Sequence, residues 1–235
     1  MRLSIEDNTV SAKNQVTESQ QVSFFPGKGG VKICFIGNSI TRHAPSESIG
    51  WHGDWGMAAS CAEKDYCHLL MKKIREKHPD AAFMILQEAN WERNFWKEDV
   101  ERYDTAMRQI EVFDPDIVVL RLAENVSRES AAEHDFGKGF DDLCRYVSDN
   151  SRRKLLITDS FWYSPWTENE IRTAAEKYAG GVISLYDLGN RDDMKALGLF
   201  EHAGVAAHPG DEGMAEIAKR IGDRLLPLAD TFFEE

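Results

Sequence analysis

The chain has 235 residues, 42% of them hydrophobic and 29% charged, which excludes a disordered or fibrous protein and suits one α/β domain, with or without an appendage. Forty acidic residues against 28 basic leave a net charge of −12, so nucleic acid and anionic membranes are poor partners on charge alone. This length buries a sizeable core without help from disulfides or metal.

Four cysteines, Cys34, Cys61, Cys67 and Cys144, form no Cys-x-x-Cys pair, and free thiols point to a reducing compartment. Met1 to Asp7 lacks the apolar stretch of a signal peptide, and no apolar run approaches the ~20 residues of a membrane span. A cytoplasmic protein is expected.

Residues 1–30 are polar and rich in Ser, Gln, Asn and Thr, and close on Phe24-Phe25-Pro26-Gly27-Lys28-Gly29-Gly30. They are expected to form an N-terminal extension, an arm or an edge strand, ahead of a main domain over 31–235. The glycines lack the spacing of a phosphate loop and precede their strand rather than follow it. Val31 to Ile36 is a buried strand that stops at Gly37-Asn38-Ser39 and delivers a hydroxyl onto a loop.

Arg42 to Ser60 is long and irregular, the kind of loop that carries function. Cys61 to His78 has helical spacing, with Pro79 as its stop. A strand at 82–86, a helix at 98–113, and a strand from Asp116 to Leu122 follow. Next come a helix at 133–149, a strand at 154–158, a helix at 168–178, a last strand at 182–186 and a closing helix at 211–226. This alternation predicts an α/β fold with a central parallel sheet of about five strands in three layers.

In such a sheet, loops at the strands' C-terminal ends hold the site. Ser39 follows the first strand, Asn125 follows Leu122, and His208 precedes the closing helix. Serine needs a base to take its proton, and His is the usual one. A side-chain amide, a loop N–H and the N–H of Ser39 are suitable donors to a developing oxyanion. Each residue also has an ordinary reading. Ser39 would cap a helix starting at Ile40, Asn125 would be a turn residue, and His208 and Asp211 would be a surface residue and a helix N-cap. Gly56 would only permit an awkward backbone angle.

Taken in order, Gly37-Asn38-Ser39-Ile40-Thr41, Gly56, Ala123-Glu124-Asn125 and His208-Pro209 resemble the four sequence blocks of the SGNH (GDSL-type) hydrolases. The resemblance spans about residues 31–227, with Gly56 the least securely aligned because Gly50 and Gly53 lie close. It implies a flavodoxin-like α/β/α fold and ester hydrolysis without a cofactor. Ser39 would be the nucleophile and His208 the base. The N–H groups of Ser39 and Gly56 and the amide of Asn125 would form the oxyanion hole.

Four positions, in three of the blocks, depart from the family pattern. Asn38 replaces Asp, Ala123 and Val126 replace the Gly and Asp of block three, and Val205 stands where an Asp usually orients the histidine. A backbone carbonyl at or near Val205 is the favoured substitute, with Glu201 or Glu124 as alternatives; an accepting carbonyl also fixes the required tautomer.

Six tryptophans are present, and Trp51, Trp55, Trp162 and Trp166 are placed near the active edge, either to stack on sugar rings or to pack loops. His43, His52 and Asp54 match no metal-ligand spacing, so no metal is expected. The expectation is a serine esterase for small acyl esters, with a carbohydrate O-acetyl ester as the favoured substrate. A thioesterase or lysophospholipase, and a carbohydrate-binding protein without turnover, are the alternatives.

Overall fold

The computed structural model describes residues 21–98 and 102–232. Five strands, Val22–Phe25 (β1), Lys32–Gly37 (β2), Ala82–Gln87 (β3), Ile117–Arg121 (β4) and Lys154–Ile157 (β5), form one sheet in the order β1-β3-β2-β4-β5. β2 runs parallel to β3 and β4, and β4 to β5, while β1 closes the edge antiparallel to β3. β1 lies in the segment expected as an arm or edge strand; residues 1–20 of that extension lie outside the described residues.

The parallel strands are apolar throughout because both faces of the sheet are covered. Alternation sends Ile33, Phe35, Phe83, Ile85, Ile117 and Val119 to one face. Cys34, Ile36, Met84, Leu86, Val118 and Leu120 go to the other. The α-helices whose full extent lies among the described residues are Tyr66–Lys77 (α1), Ala89–Glu92 (α2), Gln109–Phe113 (α3), Arg128–Glu133 (α4), Phe136–Val147 (α5), Glu168–Ala179 (α6), Ala203–Ala206 (α7) and Asp211–Asp230 (α8).

Leu70 and Ile74 of α1 and Ile217, Ile221 and Leu225 of α8 fill the first face. Phe136, Phe140 and Leu143 of α5 and Ile171 of α6, with Trp91 and Phe95, fill the second. The result is a three-layer α/β/α sandwich. No helix among the described residues is long and apolar enough to cross a membrane.

Register positions the site. Gly37 pairs with Gln87 on one side and Arg121 on the other, so β2, β3 and β4 end together and their following loops share one edge.

Where the elements differ from expectation, aspartates are the cause. In the span expected as one helix at 98–113, the described residues show Arg102 helical, a break at 103–104, and then a turn leading into α3. Asp104 Oδ1 accepts the N–H groups of Ala106 (3.0 Å) and Met107 (3.1 Å), which starts a new turn there. The helix expected at 133–149 is interrupted at His134 and restarted by Asp135, which accepts from the Lys138 N–H at 2.9 Å. The strand expected at 182–186 keeps a single parallel bridge, Ile183 to Thr158.

At that last point the carboxylate of Asp159 takes the N–H groups of Leu185 and Tyr186, donors a ladder would otherwise have used, together with the Ser184 hydroxyl. The fifth strand of the sheet is therefore β1, not this segment. α8 is capped by Gly210; Asp211 instead holds Ser60 N–H (2.8 Å), Ser60 Oγ (2.9 Å) and Lys64 Nζ (2.7 Å).

Asp159 is buried, so Asp159→Ala strands the donors of 184–186, releases Arg172, and is expected to destabilise the protein by about 2–4 kcal/mol. Urea denaturation measures this. A loss under ~0.5 kcal/mol would mean that packing alone holds 183–186 in place.

Candidate active site

After β2 the chain makes a tight turn in which the N–H groups of Thr41 (2.9 Å) and Arg42 (3.0 Å) both donate to the carbonyl of Asn38. No helix starts at Ile40, so Ser39 caps nothing. Its side chain is brought to His208, 169 residues away in sequence, with Oγ 2.8 Å from Nε2.

His208 Nδ1 lies 2.7 Å from the carbonyl oxygen of Gly204. A carbonyl only accepts, so Nδ1 carries the proton and Nε2 presents its lone pair to the Ser39 hydroxyl. The orienting carbonyl is Gly204's rather than Val205's, because the Val205 carbonyl is already taken by the His208 N–H at 3.0 Å. The one-turn helix α7 thus leaves Gly204 aimed four residues ahead at the ring. Glu201 is exposed and makes no hydrogen bond to His208. Burial lowers the pKa of His208 to about 4, and the charge of Arg121 and the neighbouring His43 add to the effect, opposed by the Gly204 carbonyl and Glu124. The imidazole is therefore neutral at pH 7.

Of the expected oxyanion donors, Asn125 lines the same cleft as Ser39 and His208. One Nδ2 hydrogen goes to Glu92 Oε2, leaving the second uncommitted. The Ser39 N–H makes no hydrogen bond among the described residues. Gly56 does not fit the role, because its N–H donates to Asp65 Oδ2 at 3.0 Å. What the position requires is a missing side chain: a β-carbon at 56 would stand 2.6 Å from the Ile40 carbonyl oxygen. Asp65 also caps α1 through the His68 N–H (2.8 Å), so one carboxylate ties the Gly56 loop to a helix start.

Beneath Ser39 lies a buried charged cluster not foreseen from sequence as a unit. Asn38 Nδ2 donates to Glu92 Oε1 (2.9 Å) and Glu124 Oε2 (2.6 Å), and Asn38 Oδ1 accepts from Arg121. Arg121 also pairs with Glu124, whose Oε1 accepts the Phe161 N–H at 3.0 Å. Glu92 Oε1 takes the Ala123 N–H as well. Burial and the charge of Glu124 raise the Glu92 carboxyl pKa, against the bonds from Asn125, Asn38 and Ala123. The sequence signal was Arg121 within an otherwise apolar strand; nothing local marked Glu92, which sits on the unexpected one-turn helix α2. Ala123 holds φ 112, a conformation in which glycine is comfortable and a β-carbon is not. This is the family pattern's glycine position.

No family model and no curated sequence matches the chain. Solved structures do. An esterase, EstA, from Pseudoalteromonas sp. superposes with a TM-score of 0.54 at 11% identity, over 85% of this chain and 98% of that one. A GDSL-like lipase from Bacteroides ovatus gives 0.57 at 13%, over 85% and 100%. Axe2, an acetylxylan esterase from Geobacillus stearothermophilus, gives 0.51 at 15%, over 85% and 95%. The fold is that of the SGNH hydrolases.

Within that fold the tryptophans divide. Trp51 is buried, donates to the His43 carbonyl at 2.9 Å and packs on Trp55 and Phe200, so it holds the 42–60 loop together. Trp55 donates to the Ala59 carbonyl at 2.9 Å, inside the same loop. Trp166 donates to the Val126 carbonyl at 2.9 Å while remaining partly exposed. Trp162 alone of the four contacts the Ser–His pair, its ring edge-on to His208 with centroids 5.0 Å apart. Asp54 is engaged by Arg42 at 2.9 Å, and His43 Nδ1 by the Ala44 carbonyl at 2.6 Å.

An NMR titration of the imidazole carbons is expected to show His208 neutral at pH 7 and protonating near pH 4. Burial penalises the cation, so the midpoint falls below the ordinary ~6.5. Glu201→Gln is expected to leave that midpoint in place. A displacement of about a unit or more would mean that Glu201 reaches the ring.

Proposed function

We propose that the chain is a serine ester hydrolase for small acyl esters, with O-acetylated carbohydrate as its substrate class. The observation that carries this reading is the Ser39 Oγ–H aimed at Nε2 of an imidazole whose other nitrogen is fixed on the Gly204 carbonyl.

His208 removes the Ser39 proton as Oγ attacks the ester carbonyl. The resulting oxyanion takes hydrogen bonds from the Ser39 N–H and the free Asn125 Nδ2 hydrogen. His208 then returns its proton to the leaving alcohol as the C–O bond breaks, giving an acyl-Ser39 intermediate. Water, deprotonated by His208, attacks that intermediate and releases the acid. Glu92 acts through Asn125 as a positioning residue, since it holds the amide that faces the oxyanion.

The small-acyl preference is supported by the cleft at Ser39, which measures about 260 Å³, below the ~300–1,000 Å³ of typical ligand pockets. Its apolar side chains include Ile49, Met57 and Val205. The likeness to Axe2, an acetylxylan esterase, supports the carbohydrate part. A binding protein without turnover has no use for a serine hydroxyl held against a tautomer-fixed imidazole.

EstA was crystallised inhibited by monoethylphosphonate, and a fluorophosphonate is the corresponding probe here. It is expected to label Ser39, located by peptide mass spectrometry. Ser39→Ala should lose the label and lower ester hydrolysis by about 10⁴-fold or more. Among p-nitrophenyl esters, acetate should turn over faster than octanoate. A folded protein that takes no label, or a label that survives Ser39→Ala, would sink the assignment.

A further inference from the structure

The cleft beside Ser39 contains a cation that the proposed mechanism does not use. Arg93 follows α2, is exposed, and lines the cleft. Its guanidinium makes one long contact, Nη1 to the Ala89 carbonyl at 3.5 Å, and no carboxylate pairs with it among the described residues.

Arg42, Arg121, Arg172 and Arg220 each hold a carboxylate, while Arg75 and Arg224 donate to backbone carbonyls; of these arginines none lines the cleft, and Arg93 does. Two acids close to the cleft are committed elsewhere: Glu92 to Asn38, Asn125 and Ala123, and Glu124 to Arg121, Asn38 and Phe161. The cleft lining itself holds no Asp or Glu.

A second donor lines the same cleft. His202 Nδ1 accepts the Val205 N–H at 3.3 Å, which places the ring proton on Nε2. A protein whose surface repels anions therefore presents, beside its nucleophile, a recess lined by no acid and by a guanidinium that no carboxylate holds. A guanidinium fork matches a planar carboxylate with two parallel hydrogen bonds.

We infer that Arg93 recognises a sugar carboxylate, so that the substrate class is an O-acylated oligosaccharide containing uronic acid rather than a neutral one. The inference deepens the esterase reading and rests on it. Arg93 is a specificity-determining residue that acts in binding, so its effect belongs in KM more than in kcat.

Two measurements test it. First, kcat/KM is compared for acetylated trigalacturonate and acetylated xylotriose. The wild type should favour the acidic substrate, and Arg93→Gln should reduce that preference about 10- to 100-fold, the range of a charge-assisted hydrogen bond. Arg93→Lys, which keeps the charge but not the fork, should keep part of it. Second, calorimetric titration with unesterified trigalacturonate reads recognition without turnover, and binding should weaken in Arg93→Gln and at higher salt.

Equal binding by the wild type and Arg93→Gln, or no preference for the acidic substrate, overturns the inference while ester hydrolysis stands. Binding that depends on Arg93 in a protein that hydrolyses no ester would support the recognition and defeat the esterase reading.

Discussion

The amide of Asn38 is the interaction on which the site depends. It sits at the end of β2, with its nitrogen between the carboxylates of Glu92 and Glu124 and its oxygen on Arg121. Those partners come from the segment after β3, from the last residue of β4 and from the loop that follows it, so one side chain joins the loops that carry Ser39 and Asn125. Buried polar groups of this kind rigidify a site only when every member is satisfied. An aspartate here would oppose two buried carboxylates with a third and supply no donor. The asparagine at this point of the family pattern is thus the residue its neighbours require.

The histidine is held by a comparable economy. Without an acid at position 205, the ring is fixed by the Gly204 carbonyl, which sets the tautomer but stabilises an imidazolium less than a full negative charge would. The low pKa of His208 agrees with that: burial acts on the ring with only a dipole and a distant carboxylate to oppose it. The same one-turn helix α7 that offers Gly204 consumes the Val205 carbonyl, which is why the orienting group lies one residue earlier than the block spacing points to.

Most of the architecture was legible in the residues. Continuous β-branched and aromatic runs marked β2 to β5, and 3.6-residue periodicity marked α1, α6 and α8. The misreadings share a mechanism. Asp104, Asp135 and Asp159 each give backbone N–H groups a partner outside helix or ladder, and propensity along the chain does not reveal which carboxylate is close enough to do so. The edge strand β1 was foreseen as one of two forms; its pairing with β3 rather than a fifth parallel strand at 182–186 was settled by Asp159 capturing the donors of that segment.

By itself the sequence determined the four parallel strands, the layers around them and the order of Ser39, Asn125 and His208, because these follow from periodicity and from loops falling at strand ends. Tertiary structure alone decided which atoms meet. Gly56 spends its N–H on Asp65, Gly204 orients His208, Trp51 and Trp55 pack their own loop, Glu92 holds Asn125, and Arg93 lines the cleft with no carboxylate on it among the described residues. Each of those facts depends on distances between segments far apart in the chain, and hydrogen-bond partners at such range carry no local pattern for a sequence to display.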